Sequence, residues 1–156
     1  MTPGRGACYG WAMDGTPIRP ARLEDIPVLM AIRLAVAENR LADPSRVTPA
    51  DCARFIAAEA VWVWEEAGEV AGFSAAQAED GSIWALFVRP DSEGRGIGRA
   101  LLARACDHLR RAGHRRLQLT TGPGTRAERL YRRLGWREAG RADDGDLVLV
   151  LGEVSG

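Results

Sequence analysis

A glycine-rich stretch decides the fold of this chain: LFVRPDSEGRGIGRALL, residues 86–102. The continuously apolar run Ile83–Val88 leads into it, and such a run predicts a strand buried on both faces. A helix is predicted over 97–112 because apolar residues then recur at helical spacing, with Gly113 placed to end it. The predicted core stripe of this helix consists of Ile97, Leu101, Ala105 and Leu109, flanked by Leu102 and Cys106.

The turn between this strand and helix has the character of an anion site. Glycines at positions 94, 96 and 98 leave the backbone accessible, and a helix N-terminus presents unpaired N–H groups to negative charge. The spacing G-x-G-x-G differs from the dinucleotide fingerprint G-x-G-x-x-G, and the chain has no Lys for a Walker phosphate loop. A turn of this kind that serves only helix packing is the alternative interpretation.

Upstream of this stretch, the pattern predicts an edge strand at Ile18–Pro20 and a helix over 23–37 with Ile26, Leu29, Met30, Leu34 and Ala37 on one stripe. A second helix starts with Thr48 as N-cap and Pro49 as first residue, and Phe55 and Ile56 help to anchor it. Strands are predicted at 61–64, 70–76 and 83–88. Short turns join them, so they form an antiparallel meander.

Downstream, residues 117–120 predict a strand, 126–134 a helix, and 136–139 with 147–151 a closing hairpin. The strand, helix and strand over 83–120 form a β-α-β unit, whose two strands should be parallel. The fold class is therefore α/β (an α+β mixed sheet): antiparallel N-terminal strands, a parallel β-α-β unit and a C-terminal hairpin. Residues 17–156 are expected to be one domain. Residues 1–16 are expected to be a disordered extension, with Met13 as an alternative start to Met1.

The charge balance is neutral but uneven. The 156 residues carry 21 basic and 21 acidic side chains, and every basic one is Arg. Without Lys, a Schiff-base or Lys general-base mechanism is excluded. Residues 89–141 hold 14 Arg against five acids, a net +9, so the remainder is −9. This local excess indicates a segment that meets an anion, and solvated helix faces are the alternative.

The cysteines and the hydropathy pattern indicate in which cellular compartment the protein is expected. Cys8, Cys52 and Cys106 are far apart and form no CxxC pair, so neither a disulfide framework nor a metal site is predicted. No apolar run approaches the roughly 20 residues that span a membrane. We therefore expect a cytoplasmic protein with no membrane partner. Nucleic-acid binding by the Arg-rich segment is a third hypothesis, and the core positions that interrupt that segment argue against it.

Two landmarks resemble those of a known family. The run 86–102 is similar to the acyl-CoA-binding motif of the GNAT superfamily of N-acetyltransferases. The run AERLYRRLGW, residues 127–136, resembles the second landmark of that family, A-x-x-x-Y-x-x-x-G-F/W. The order of elements over 17–151 is similar too, so the resemblance implies a GNAT-like fold and an acetyl-CoA-dependent N-acetyltransferase.

The resemblance implies a role for each matched residue. The backbone amides of Gly94, Arg95, Gly96, Ile97, Gly98 and Arg99 would hold the CoA pyrophosphate. The backbone of Leu86, Phe87 and Val88 would pair with pantetheine and the acetyl carbonyl where the parallel strands splay apart. Tyr131 would face the thioester sulfur as general acid, and Gly124 and Ala127 would lie beside the cofactor.

Two positions depart from the family pattern. Glu93 stands where the family prefers Gln or Arg, and its charge should weaken pyrophosphate binding unless it points away. Gly124 stands where the family often has Asn, so that side-chain contact with pantetheine is lost or supplied by another residue. These departures keep open an alternative function, a non-catalytic acyl-CoA-binding or regulatory module.

The sequence contains fewer clear signals for the residues that would bind and deprotonate the acceptor amine. The run Ile83–Val88 contains no acid, and Glu79 and Asp80 precede it. Glu38 follows the first helix, where the acceptor cleft should lie, and is the predicted general base. Trp62, Trp64 and Trp84 are candidates for the cleft wall, although some must be core. The expected acceptor is a small-molecule or peptide amine, and the closing hairpin is a candidate homodimer surface.

Overall fold

The computed structural model describes residues 17–37, 48–92, 94–143 and 145–152. Within these ranges the chain forms seven strands and four α-helices. The strands are β1 (Ile18–Pro20), β2 (Val61–Glu66), β3 (Glu69–Gln77), β4 (Ser82–Val88), β5 (Leu117–Thr121), β6 (Arg137–Arg141) and β7 (Leu147–Leu151). The helices are α1 (Ile26–Ala37), α2 (Pro49–Ala57), α3 (Ile97–Arg111) and α4 (Arg126–Arg133), with 3-10 turns at Leu23–Asp25 and Pro90–Ser92.

All seven strands belong to one sheet, in the order β1-β2-β3-β4-β5-β7-β6. Every neighbouring pair is antiparallel except β4 and β5, which run parallel because α3 connects them. The predicted fold class, an antiparallel meander followed by a β-α-β unit and a hairpin, is confirmed.

Helices cover the sheet on both faces, and each face has its own core. On one face α3 and α4 pack on the sheet, with Leu101, Leu109, Leu117 and Leu149 fully buried. On the other face α1 and α2 enclose Leu29, Ile32, Phe55 and Phe73. A three-layer arrangement follows, because a sheet with two apolar faces must bury both. Across the described residues, no helix has the length and apolar character needed to cross a membrane.

The first and third helices show where apolar periodicity was reliable and where it was not. All six predicted core residues of α3 are buried, and the helix ends at Gly113, whose φ of +104° suits glycine. In α1 the predicted stripe is partly wrong. Leu34 is 50% exposed, and Ile32 takes the buried position instead. Apolar residues occur nearly all round this helix, so periodicity alone could not select its buried face.

The central strand also differs from its prediction. β4 is only half-buried at Trp84, Leu86, Phe87 and Val88, whereas a strand covered on both faces was expected. Within the described residues β4 pairs with β5 only at Ser82, so the second half of the strand has no neighbouring strand on that side.

Gly72 brings β3 close to β4 at the carboxyl end of β4. It pairs with Val88, and an ideal Cβ at position 72 would lie 2.8 Å from the Phe87 carbonyl oxygen and 3.2 Å from Leu101 Cδ1. Backbone atoms cannot move aside as a flexible side chain can. Glycine at this position therefore permits the close contact between β3, β4 and α3.

Gly72→Ala should accordingly lower the free energy of unfolding by about 1–3 kcal/mol, the usual cost of overpacking. Gly98→Ala is the matched control. Its Cβ would make ordinary contacts at 3.4 and 3.6 Å, and a helical Gly→Ala change gains about 0.5–1 kcal/mol. Urea unfolding of the two variants measures the difference. Equal stability of Gly72→Ala and the wild type would show that this contact does not constrain the sheet.

Candidate active site

A β-bulge interrupts the central strand at Trp84. The register pairs Ala75 with Ala85 and Ala76 with Ile83, so Trp84 is the additional residue in β4. A bulge bends its strand and increases the local twist. This bend occurs two residues after Ser82, which pairs with Gln118 of β5.

The bulge coincides with an opening in the sheet. Ser82 and Gln118 form the one residue pair that joins the described β4 and β5, and Gln118 N donates to Gly81 O at 3.1 Å. Beyond this pair β4 has no partner strand on that side among the described residues, while β5 remains paired with β7 from Leu117 to Thr121. We call the space between residues 83–88 and 119–121 the β4–β5 gap. Backbone groups of Leu86–Val88 that a neighbouring strand would use are left for another partner.

The glycine turn, residues 94–98, lies beyond the carboxyl end of β4. Gly94 and Gly96 have φ values of +85° and +84°, and an ideal Cβ on either would meet no atom within 4 Å. The first hydrogen bond of α3 runs from Ala100 N to Gly96 O at 3.1 Å. The amides of Ile97, Gly98 and Arg99 therefore precede the first hydrogen bond of the helix and have no acceptor within it. This geometry suits an anion held by backbone N–H groups.

Gly98 differs from the other glycines of the turn. A Cβ at this position would contact Val88 Cγ2 and Leu130 Cδ2. Gly98 therefore lies where β4, α3 and α4 meet, but the contacts of a Cβ at 3.4 and 3.6 Å would be ordinary ones, so helix packing does not require glycine at this position. The structure brings the glycine turn and α4 together at this point.

The arginines of the turn have different surroundings. Arg95 Nη2 donates to both carboxylate oxygens of Glu66, at 2.7 and 2.9 Å, and this ion pair lowers the pKa of Glu66. The pair connects the glycine turn to the β2–β3 hairpin. Arg99 is exposed on the first turn of α3. Glu93 lies outside the described residues.

On the far side of the gap, β5 leads into the β5–α4 loop, residues 122–125. Gly124 has a φ of +75° and open space where a side chain would stand. Thr125 caps α4, because its Oγ1 accepts from Glu128 N at 3.1 Å and donates to Gly122 O at 2.8 Å. Glu128 in turn accepts from Gly124 N at 2.7 Å. The signal T-x-x-E of a capping box was present in the sequence at 125–128, and it was missed there.

Tyr131 lies on α4 with 5% of its surface exposed. The helix ends two residues later, at Arg133, in a Schellman motif: Trp136 N donates to Tyr131 O at 3.0 Å, and Gly135 N to Arg132 O at 3.1 Å. Gly135 has the required positive φ, +100°, and the Tyr131 and Trp136 rings lie 6.0 Å apart. The Y-x-x-x-G-W landmark is thus also a helix stop that fixes the tyrosine against the sheet.

The three candidate tryptophans separate into two groups. Trp62 is buried on the α3 side, edge-on to His108 at 5.2 Å, and is therefore core. Trp64 packs against the same core. Trp84 faces the opposite side, where its ring lies 4.3 Å from that of Phe55. Of the three, only Trp84 both borders the β4–β5 gap and lies on the face of the sheet that α1 and α2 cover.

Two acidic residues that precede β4, Glu79 and Asp80, are candidates for the acceptor side, and the structure gives both of them local partners. Asp80 accepts from Ser82 N and Oγ at 3.1 and 2.6 Å, and Glu79 accepts from Gln77 at 3.4 Å. Both belong to the β3–β4 turn, at the opposite end of β4 from the glycine turn. Glu38, the predicted base, lies outside the described residues and stays a prediction.

Cysteines and possible metal ligands are two further kinds of side chain that bear on the chemistry of the site. Cys52 and Cys106 are buried, and burial raises the pKa of both thiols to about 11. In the part of the chain that the structure describes, no three His, Cys, Asp or Glu side chains are grouped as a metal site.

The segment that contains the glycine turn, the β4–β5 gap and Tyr131 matches the sequence model of a known protein family. Residues 29–136 match the acetyltransferase (GNAT) family. This segment is more than half of the chain, and the chain therefore belongs to the GNAT acetyltransferase family. The resemblance found in the sequence is confirmed.

Curated relatives match part of the chain. A mycothiol acetyltransferase of Cellulomonas flavigena is 42% identical over 77 residues, which are 49% of this chain and 22% of the relative. Another of Beutenbergia cavernae is 45% identical over 60 residues, 38% of this chain and 20% of the relative. The match thus spans about a fifth of these relatives.

A solved structure confirms the fold over most of the chain. The PaiA N-acetyltransferase of Thermoplasma acidophilum, in complex with coenzyme A, superimposes with a TM-score of 0.72 at 14% identity, covering 86% of this chain and 97% of that one.

Gly96 gives a test of the turn that is independent of any ligand. Gly96→Ala should lower the free energy of unfolding by about 1 kcal/mol, because an L-residue with a Cβ is disfavoured at positive φ. Gly96→Asn should cost less than half as much, because Asn tolerates the left-handed region. Urea unfolding measures both. An equal loss in the two variants would contradict a purely conformational cost, since neither side chain meets a neighbour at its Cβ.

Proposed function

We propose that this protein transfers the acetyl group of acetyl-CoA to a primary amine by direct attack within a ternary complex. The observation that carries the proposal is the β4–β5 gap with a glycine turn at one side and Tyr131 at the other. A pantetheine arm is narrow and carries amides, so it can replace the missing strand and pair with the backbone of Leu86–Val88.

The phosphate end of the cofactor fits the glycine turn. Amides of residues 94–99 at the start of α3 would bind the pyrophosphate, with the helix dipole in support. The net charge of +9 over 89–141 favours a polyanion in the same region. Gly124 and Ala127 would line the β5 side of the arm.

The chemistry needs a neutral amine and a protonated leaving group. The amine nitrogen attacks the thioester carbon, a C–N bond forms, the C–S bond breaks and the sulfur leaves as a thiolate. Tyr131 would donate its hydroxyl proton to that sulfur. Proton transfer from a typical tyrosine (pKa about 10) to a thiolate (about 8.5) is uphill by only ~2 kcal/mol, which is accessible to a general acid.

A base must first remove a proton from the acceptor. With a pKa of about 10.4, only about one amine in 10³ to 10⁴ is neutral at pH 7, which corresponds to roughly 4–5 kcal/mol. Glu38 is the proposed base, because in the sequence it directly follows α1, and α1 itself packs on the face of the sheet where Trp84 and Phe55 lie. Trp84 would form part of the acceptor wall.

The acceptor is proposed as a class, a small-molecule or peptide amine. The relatives are named mycothiol acetyltransferases, but the match covers about a fifth of their length. The screen that tests the proposal therefore measures thiol release from acetyl-CoA against amines, amino acids, peptides and the acceptor of those relatives. Turnover with at least one amine supports the proposal. Tight acetyl-CoA binding without turnover on any acceptor would favour the acyl-CoA-binding module instead.

Tyr131→Phe tests the general acid. It should lower kcat by about 10²- to 10⁴-fold, the usual contribution of acid–base catalysis, and leave the acetyl-CoA dissociation constant nearly unchanged. The fold around the site should be kept, because phenylalanine preserves the ring contact with Trp136 and the helix stop. Thiol release and calorimetry supply the two measurements.

The chain offers a matched control, because Tyr9 is its other tyrosine and lies outside the segment that matches the family. Tyr9→Phe should retain wild-type turnover. Unchanged turnover of Tyr131→Phe would remove Tyr131 as the general acid.

A further inference from the structure

Glu128 connects three elements around the β4–β5 gap. One carboxylate oxygen accepts from Gly124 N at 2.7 Å, and the other accepts from Arg132 Nε at 2.6 Å. Arg132 also donates to Glu138 of β6 at 3.2 Å. The side chain of Glu128 is 17% exposed. A single carboxylate thus ties the β5–α4 loop to its helix and, through Arg132, to the closing hairpin.

The loop that Glu128 holds lies at the same edge of the sheet as the glycine turn. The loop follows the carboxyl end of β5, and the turn follows that of β4. Because β4 and β5 are parallel, these two ends meet at one edge, where ligands of open α/β sheets bind. The contact that an ideal Cβ of Gly98 would make with Leu130 shows that α3 and α4 already touch there.

The β5–α4 loop combines two flexible positions with one rigid position, because the ring of Pro123 fixes its own φ. It contains Gly122 and Gly124, and glycine loses the most conformational freedom when it is ordered. No side chain projects from position 124, where a Cβ would meet nothing. Its described restraints are the Thr125 hydroxyl on Gly122 O and the Glu128 carboxylate on Gly124 N.

The donors around Glu128 stabilise its negative charge. The Gly124 amide and the Arg132 guanidinium lower the pKa of this carboxyl, so it remains ionised near neutral pH. The N-terminal end of α4 favours a negative side chain as well. Its oxygens are occupied by these donors, so Glu128 is suited to shaping the loop rather than to touching a polyanionic ligand.

We propose that Glu128 is a positioning residue of the acyl-CoA site, which holds the β5–α4 loop against the β5 side of the gap through its hydrogen bond to Gly124. This inference rests on the function proposed above. Glu128 supplies by restraint of the backbone what a longer side chain at position 124 would supply by direct contact. A helix cap without this role would affect stability alone.

Three variants separate the reach of the side chain from its charge. Glu128→Gln keeps an oxygen at the same distance from Gly124 N but loses the charge. Glu128→Asp keeps the charge, but its chain is one methylene shorter and does not reach that amide. Glu128→Ala loses both. Asp107→Ala is the matched control, because Asp107 forms the same i,i+4 pair with Arg111 on α3 and restrains no loop.

Calorimetry with acetyl-CoA on folded protein gives the readout. Glu128→Ala and Glu128→Asp should raise the dissociation constant about tenfold, in line with loss of one charge-assisted hydrogen bond. Glu128→Gln should stay within about threefold of the wild type, and Asp107→Ala should equal it. KM for the acceptor should not change in any variant. If Glu128→Ala does not fold, the comparison of Asp with Gln decides the matter.

The outcomes distinguish this inference from the proposed function. Wild-type affinity in Glu128→Asp, or a Gln variant as weak as the Asp variant, would overturn the positioning role while acetyl-CoA binding by the wild type stands. A wild-type protein that binds no acetyl-CoA would overturn both.

Discussion

One extra residue in the central strand sets the geometry on which the site depends. Trp84 adds a bulge to β4 immediately after its pairing with β5 at Ser82 and Gln118. The strand bends there, and over the described residues the two parallel strands do not pair again. A continuous sheet would have buried the backbone of Leu86–Val88 in hydrogen bonds. The bulge instead leaves that edge open between two glycine loops, where a narrow amide-bearing chain can bind.

Two arginines near the site are held by internal partners. Arg95 is paired with Glu66, and Arg132 with Glu128 and Glu138. In the proposed complex these two side chains would add to the positive field, and the close contacts to an anion would fall to the backbone amides of α3. This division fits a chain without Lys. It also explains why glycines, which expose the backbone, mark both sides of the gap.

The sequence predicted the order of elements well, because most had distinct local signals. Thr48 and Pro49 marked the start of α2, and Gly113 and Gly135 marked helix ends. The core stripe of α3 followed from its periodicity. Leu34 was misplaced because α1 is apolar on nearly every side. The bulge had no local signal, since the apolar run 83–88 contains neither Gly nor Pro and the register depends on β3.

Within the site, the motifs indicated which segments meet but not how they are held. The Schellman motif gives a physical explanation for the Y-x-x-x-G-W landmark, because it ends α4 and places Tyr131 beside Trp136. The capping residues Thr125 and Glu128 were readable from the sequence, but the bond from Glu128 to Gly124 depends on the shape of the loop. The acceptor side depends on Glu38, which remains a sequence-based prediction.

A crystal structure with bound coenzyme A tests most directly whether the gap and the glycine turn form the cofactor site. We expect pyrophosphate oxygens within about 3.2 Å of backbone nitrogens of residues 94–99, the usual limit for such a hydrogen bond. We also expect pantetheine amides paired with the backbone of Leu86–Val88 inside the gap. Coenzyme A bound at another surface, or a β4–β5 pair that closes along its length with no ligand between, would contradict this assignment.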